Sequence, residues 1–208
     1  MVFLVLKTLW YVRESDTVEG GQVALFMGPD YVVTVRQGTR FELESVRHDL
    51  EQHADVLRQG PAAVVHAVCD RVVDIYEKVV SDLETDVDEV EASVFSPERP
   101  HVSKRIYELN RELTTLRRAV NPLRNPMQQF ARAEIRGVSA DMAPFFRDVG
   151  DHLARISDAV DSLWATCYPA PSMRTSPGSA CSRTTTCAGC PRGRRSLPSS
   201  PCWPGSTG

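Results

Sequence analysis

Apolar residues change their spacing twice along this chain, and each change marks a new kind of element. Val2–Val12, Gln22–Met27 and Tyr31–Arg36 are short runs rich in Val, Leu, Phe, Tyr and Trp, the composition of strands half buried in a sheet. Gly28-Pro29-Asp30 separates the last two and is a turn signal, so these two are predicted to form a hairpin. Phe41–Leu57 then places Leu43, Val46, Leu50 and Leu57 at helical spacing, which predicts a short amphipathic helix over one face of the sheet. Three strands and one helix make a small core. Units below roughly 70 residues seldom stand alone, so a partner or a missing half is expected.

From Pro61 the pattern becomes that of long helices. Val65, Val68, Val72, Tyr76, Val79, Leu83, Val87, Val90 and Val94 advance by threes and fours, which predicts one helix of about 35 residues with a single apolar stripe. Pro61 suits its first turn, where a missing N–H costs nothing. Ser96-Pro97-Glu98-Arg99-Pro100 forces a turn, and Val102, Ile106, Leu109, Leu113, Leu116, Val120 and Leu123 resume the pattern as a heptad seam. The two helices are therefore expected to fold back on each other as an antiparallel hairpin. Their charges fit that pairing: Asp82–Glu91 holds six acids and no base, while the returning helix carries Lys104, Arg105, Arg111, Arg117 and Arg118. Asn121-Pro122 and Asn125-Pro126 are expected to end or kink it. A last helix begins near Pro144, with Phe146, Val149, Leu153, Ile156, Val160 and Leu163 in register, and its pattern stops at Trp164 without a cap. The fold class that results is α+β: a partial small sheet with a covering helix over residues 1–60, long antiparallel helices over 61–164, and a disordered tail over 165–208.

Composition divides the chain at the same place. Residues 165–208 hold five of the six cysteines and seven of the fourteen prolines, with no Asp, Glu or Lys. Residues 1–164 carry 19 basic and 27 acidic side chains, a net of −8, which argues against a nucleic-acid binder. No window supplies the roughly 18 consecutive apolar residues of a membrane-spanning helix, since even Met1–Val12 is interrupted by Lys7 and Thr8. That opening run is not a signal peptide either, and its abrupt start on a core strand implies residues upstream. As written, the chain is expected in the cytoplasm.

The tail reads as a frameshift. Re-read one base out of frame, with one wobble base chosen per codon, Ala165–Gly208 can continue the heptad and then give about twenty mostly apolar residues ending in Gly-Val-Tyr-Gly-Met, the length of a membrane span. This ending, with a following Asn, resembles the Gly-Met-Asn signature that closes the first membrane helix of the CorA magnesium and cobalt transporters. The in-frame segments Val2–Val12 (VFLVLKTLWYV), Gly28–Arg36 (GPDYVVTVR), Arg105–Leu123 (RIYELNRELTTLRRAVNPL) and Phe145–Leu163 (FFRDVGDHLARISDAVDSL) resemble consecutive cytoplasmic segments of the same family. The resemblance implies a truncated, frameshifted fragment of a homopentameric inner-membrane transporter of Mg²⁺ and Co²⁺. Those ions would be cargo and regulators, with none tightly bound, and the fragment lacks the pore. The alternatives are a helical binding or assembly module that pairs with CorA subunits or other helices, or a product without function.

Asp148 and His152 lie one turn apart on the polar side of the last helix, a spacing at which a carboxylate and an imidazole can address one ion. By spacing alone such pairs are usually solvated surface groups. The resemblance implies that Asp148, with His152 and Asp70 of Val68–Tyr76 (VCDRVVDIY), belongs to a regulatory divalent-cation site shared between subunits, left incomplete because the acids of an earlier segment are missing. Asp82, Glu84, Asp86, Asp88, Glu89 and Glu91 resemble the family's acid-rich hairpin that gathers hydrated cations, against the plain reading of a solvated helix face. Cys187-Ala-Gly-Cys190, with Cys181 or Cys202, is weak as a zinc site because it has no hydrophobic framework. No Gly-rich phosphate loop, Gly-x-Ser-x-Gly elbow or His-Glu-x-x-His is present, so an enzyme is not expected.

Overall fold

The computed structural model describes residues 1–38, 40–94 and 102–167. Three strands, β1 (Val2–Val12), β2 (Thr17–Met27) and β3 (Val32–Gln37), form an antiparallel sheet in the order β1-β2-β3. The ladder runs from Val2 opposite Met27 to Val12 opposite Thr17, and from Gln22 opposite Gln37 to Met27 opposite Val32. The amide of Gly28 donates to the carbonyl of Tyr31 at 2.8 Å and closes the second hairpin where the turn signal lay. A β-carbon on Gly28 would meet the Tyr31 ring where it now lies, so a larger residue there would have to swing that exposed ring aside.

β2 begins five residues earlier than its apolar run suggests. Thr17-Val18-Glu19-Gly20-Gly21 has weak strand chemistry, but β1 offers eleven residues of ladder and the whole segment pairs with it. At Gly21 a β-carbon would stand 2.6 Å from the Gln37 carbonyl and 2.9 Å from Thr8 Oγ1. Glycine is there because the neighbouring chains lie too close for a side chain.

Helices follow: α1 (Leu43–Gln52), α2 (Ala54–Leu57), α3 (Pro61–Val94), α4 (Val102–Ala131) and α5 (Ala143–Cys167), the last preceded by a 3₁₀ turn at Ala140–Met142. The predicted Phe41–Leu57 helix is thus two pieces, interrupted at His53, whose φ of −110° and ψ of 67° are not helical. Leu6, Val23, Leu25 and Met27 of the sheet join Val65, Val68, Val72, Val73 and Tyr76 of α3 in one continuous core. The Tyr76 hydroxyl donates to the Lys7 carbonyl, which ties the helix to β1.

Asp86 near the end of α3 meets Arg105 near the start of α4, so these helices run antiparallel. The Phe130 and Phe146 rings stack at 4.5 Å and Arg117 reaches Asp161, so α5 is antiparallel to α4 and parallel to α3. Two expectations need correcting. Among the described residues the basic residues of α4 do not pair collectively with the acids of α3: Arg105 pairs with Asp86, while Lys104 pairs with Glu108 on its own helix and Arg117 with Asp161 of α5. And of the end or kink expected at the prolines of α4, the end does not occur, since the helix continues through Pro122 and Pro126 to Ala131. Each proline removes a backbone hydrogen bond, at about 3 kcal/mol. Burial of Leu123, Met127 and Phe130 in the core, each contributing roughly 1.5–3 kcal/mol, offsets that cost. The helical pattern of α5 extends three residues beyond Trp164. The expected turn at 96–100 and the rest of the tail, with its Cys-x-x-Cys, lie outside the described residues.

Candidate divalent-cation site

The long register of α3 sets His66, Asp70, Asp74 and Glu77 in a row one turn apart, and α5 lies parallel beside it carrying Asp148 and His152. His66 is the hinge of this seam. Its ring stands edge-on to Phe145 at 5.6 Å and to Phe146 at 5.4 Å. Burial pushes its pKa below the ordinary value, while the charges of Asp70 and Asp148 and a hydrogen bond with the Phe145 backbone act in the opposite direction. The two carboxylates singled out in the sequence therefore approach the same imidazole from different helices.

One turn further along, His152 Nε2 lies 3.2 Å from Glu77 Oε2, near enough for an ion pair but outside hydrogen-bond geometry. Asp74 has its pKa raised by burial and by Asp70, with His152 working against the shift. His152 thus faces Glu77 and Asp74 across the seam. An open cleft of about 230 Å³ continues from here toward α1 and α2, lined by Asp49, His53, His66, Asp70 and Asp74 among others. His66, Asp74 and Glu77 were not singled out in the sequence. The signal that could have found them is the polar stripe they form with Asp70 at intervals of four, four and three.

Among the described residues no three His, Cys, Asp or Glu side chains converge to hold a metal ion. A divalent hard cation takes six or more oxygens, and what Asp70 and Asp148 are seen to share is the His66 imidazole on which both charges act. The acidic run of α3 divides in two. Glu84, Asp88, Glu89 and Glu91 are exposed and free to attract cations diffusely. Asp82 accepts from Arg13 at 2.8 Å, and Asp86 is buried, accepting from Tyr11 at 2.5 Å and pairing with Arg105 at 2.8 Å.

A small antiparallel sheet carried on long helices is the arrangement of the soluble domains of CorA-type proteins. The soluble domain of CorA from Methanocaldococcus jannaschii superposes with a TM-score of 0.66 at 10% identity, covering 80% of this chain and 66% of that one. Full-length CmaX gives 0.67 at 17% identity, covering 80% and 51%, and the ZntB cytoplasmic domain from Vibrio parahaemolyticus gives 0.59 at 12%, covering 80% and 65%. The sequence carries the assignment further. The family described as CorA-like Mg²⁺ transporter protein matches residues 1–166, and the chain belongs to that family. It is 26% identical over 163 residues to the cobalt/magnesium transport protein CorA of Thermotoga maritima, covering 78% of this chain and 46% of that protein. It is also 28% identical over 157 residues to YfjQ of Bacillus subtilis strain 168, covering 73% and 48%. The chain spans about half the length of these two relatives.

Proposed function

We propose that these residues are the ion-responsive part of a magnesium and cobalt transport protein, and that this chain by itself does not carry ions across a membrane. The family match over residues 1–166 supports the reading, set beside the fact that no helix among the described residues is long and apolar enough to cross a membrane. In this reading Asp148, with His152 and Asp70, lies where subunits of a homopentamer meet. A cation bound there neutralises facing carboxylates, and its loss lets them repel and shifts the helices. The exposed acids of α3 raise the local cation concentration without binding any one ion tightly. The tail is the same gene read one base out of frame near Leu163–Thr166.

The test is Mg²⁺ uptake in a transport-deficient cell, with this chain and with a version whose frame is restored at that point. Uptake from the restored frame only is expected. Uptake from the present 208 residues would overturn the proposal.

One observation favours a second reading, an assembly module. The outer face of the sheet exposes Phe3, Val5, Val33 and Val35, each about half accessible, with Phe3 packed against Phe26 at 4.7 Å. A contiguous apolar face of this kind marks a place where another element sits.

A further inference from the structure

The acidic run of α3 contains one member that behaves unlike its neighbours. Asp86 is buried, and its Oδ2 takes both the Tyr11 hydroxyl at 2.5 Å and Arg105 Nη2 at 2.8 Å. The same guanidinium donates from Nη1 to the Asp16 carbonyl at 3.1 Å and lies 3.8 Å from the Asp16 carboxylate. Asp16 holds a φ of 46°, a left-handed conformation uncommon outside glycine, at the turn between β1 and β2. Arg105 of α4 therefore fastens the end of α3 and the tip of the long hairpin with one side chain.

Two turns along α4 on the same face stands Glu112, 6% exposed, with its Oε2 lacking any partner. A carboxylate with a buried oxygen that lacks a partner is favoured in its neutral form. The groups that act on it are Asp86 from α3, Arg105 and Glu108 from α4 and Asp16 from the hairpin turn. Of these Arg105 alone is a cation, and it is already shared between Asp86 and Asp16.

We infer that Glu112 is a proton-operated latch: on losing its proton it draws Arg105 away from Asp86 and Asp16 and releases the β1–β2 turn. The step breaks the carboxyl O–H bond, passes its proton to water and exchanges ion-pair partners, with no other covalent bond changed. Burial first, then the charges of Asp86, Glu108 and Asp16, push the Glu112 carboxyl up to about 7 against the pull of Arg105, so the exchange falls in the neutral range. The sign follows. A carboxyl raised in the folded state contributes stability that is complete below its ordinary value of 4.5 and lost as pH rises through about 7.

NMR titration of the full chain with labelled Glu carboxyl carbons tests this. The Glu112 carbon is expected to titrate with a midpoint near 7. The Arg105 Nε–H and Tyr11 ring signals are expected to move with the same midpoint, and to stay still in Glu112→Gln. A Glu112 midpoint in the ordinary carboxylate range overturns the latch. So does a midpoint near neutrality while Arg105 and Tyr11 do not respond. The wild-type titration decides on its own if the variant does not fold.

Discussion

His66 shows what one residue contributes. It lies against Phe145 and Phe146 and near two carboxylates, yet burial prevails and its charged form is disfavoured. A histidine whose folded pKa is depressed contributes stability that is present above its unfolded value of 6.5 and lost as pH falls through the lower folded value. We expect thermal unfolding to show a drop in Tm on acidification below about 6.5 that shrinks in His66→Gln. Glu112 has the opposite sign, its contribution falling as pH rises where that of His66 grows, so comparing the two variants across pH 5 to 8 separates the contributions. Asp70 and Asp148 were legible as polar residues at helical positions. That they act on a common imidazole was not, because the two lie on helices far apart in sequence and only the packing of α5 beside α3 brings them together.

At the scale of elements the apolar period was a sound guide wherever burial is one-sided. α3 and α5 follow their stripes closely, and Val65, Val68, Val72, Tyr76, Val79, Leu83 and Val87 are all buried. The pattern misled where a local rule met a tertiary one. Pro122 and Pro126 argue for a helix end, but the buried residues on either side hold α4 helical to Ala131. Pro122 is exposed, so its ring contributes little packing. Replacing it with Ala restores one hydrogen bond to the Arg118 carbonyl at some loss of unfolded-state restriction, and we expect Pro122→Ala to gain about 2 kcal/mol by chemical denaturation. No gain would mean that the helix has already relaxed around the proline. The start of β2 at Thr17 has a similar origin, since Gly20 and Gly21 speak against a strand until β1 supplies the ladder.

The whole molecule sets one exposed apolar sheet face against a helical side that is well packed. If that face seats another element, Val35→Lys should reduce self-association or partner capture without lowering Tm, because Val35 is about half exposed on β3. Size-exclusion chromatography beside thermal unfolding checks this, and unchanged association would remove the face from consideration. The sequence by itself determined the strand and helix content, the stripe of each long helix, the division of composition near residue 165 and the family, because periodicity, turn chemistry and motif order are local properties of a chain. Only the tertiary structure decided that Asp86 is a buried anchor for Arg105 and Tyr11 while Glu84 and Asp88 face outward, that α4 outlasts its prolines, and that one carboxylate oxygen of Glu112 lies buried without a partner. Those outcomes depend on desolvation, and how much water a side chain loses is set by neighbours that are distant along the chain.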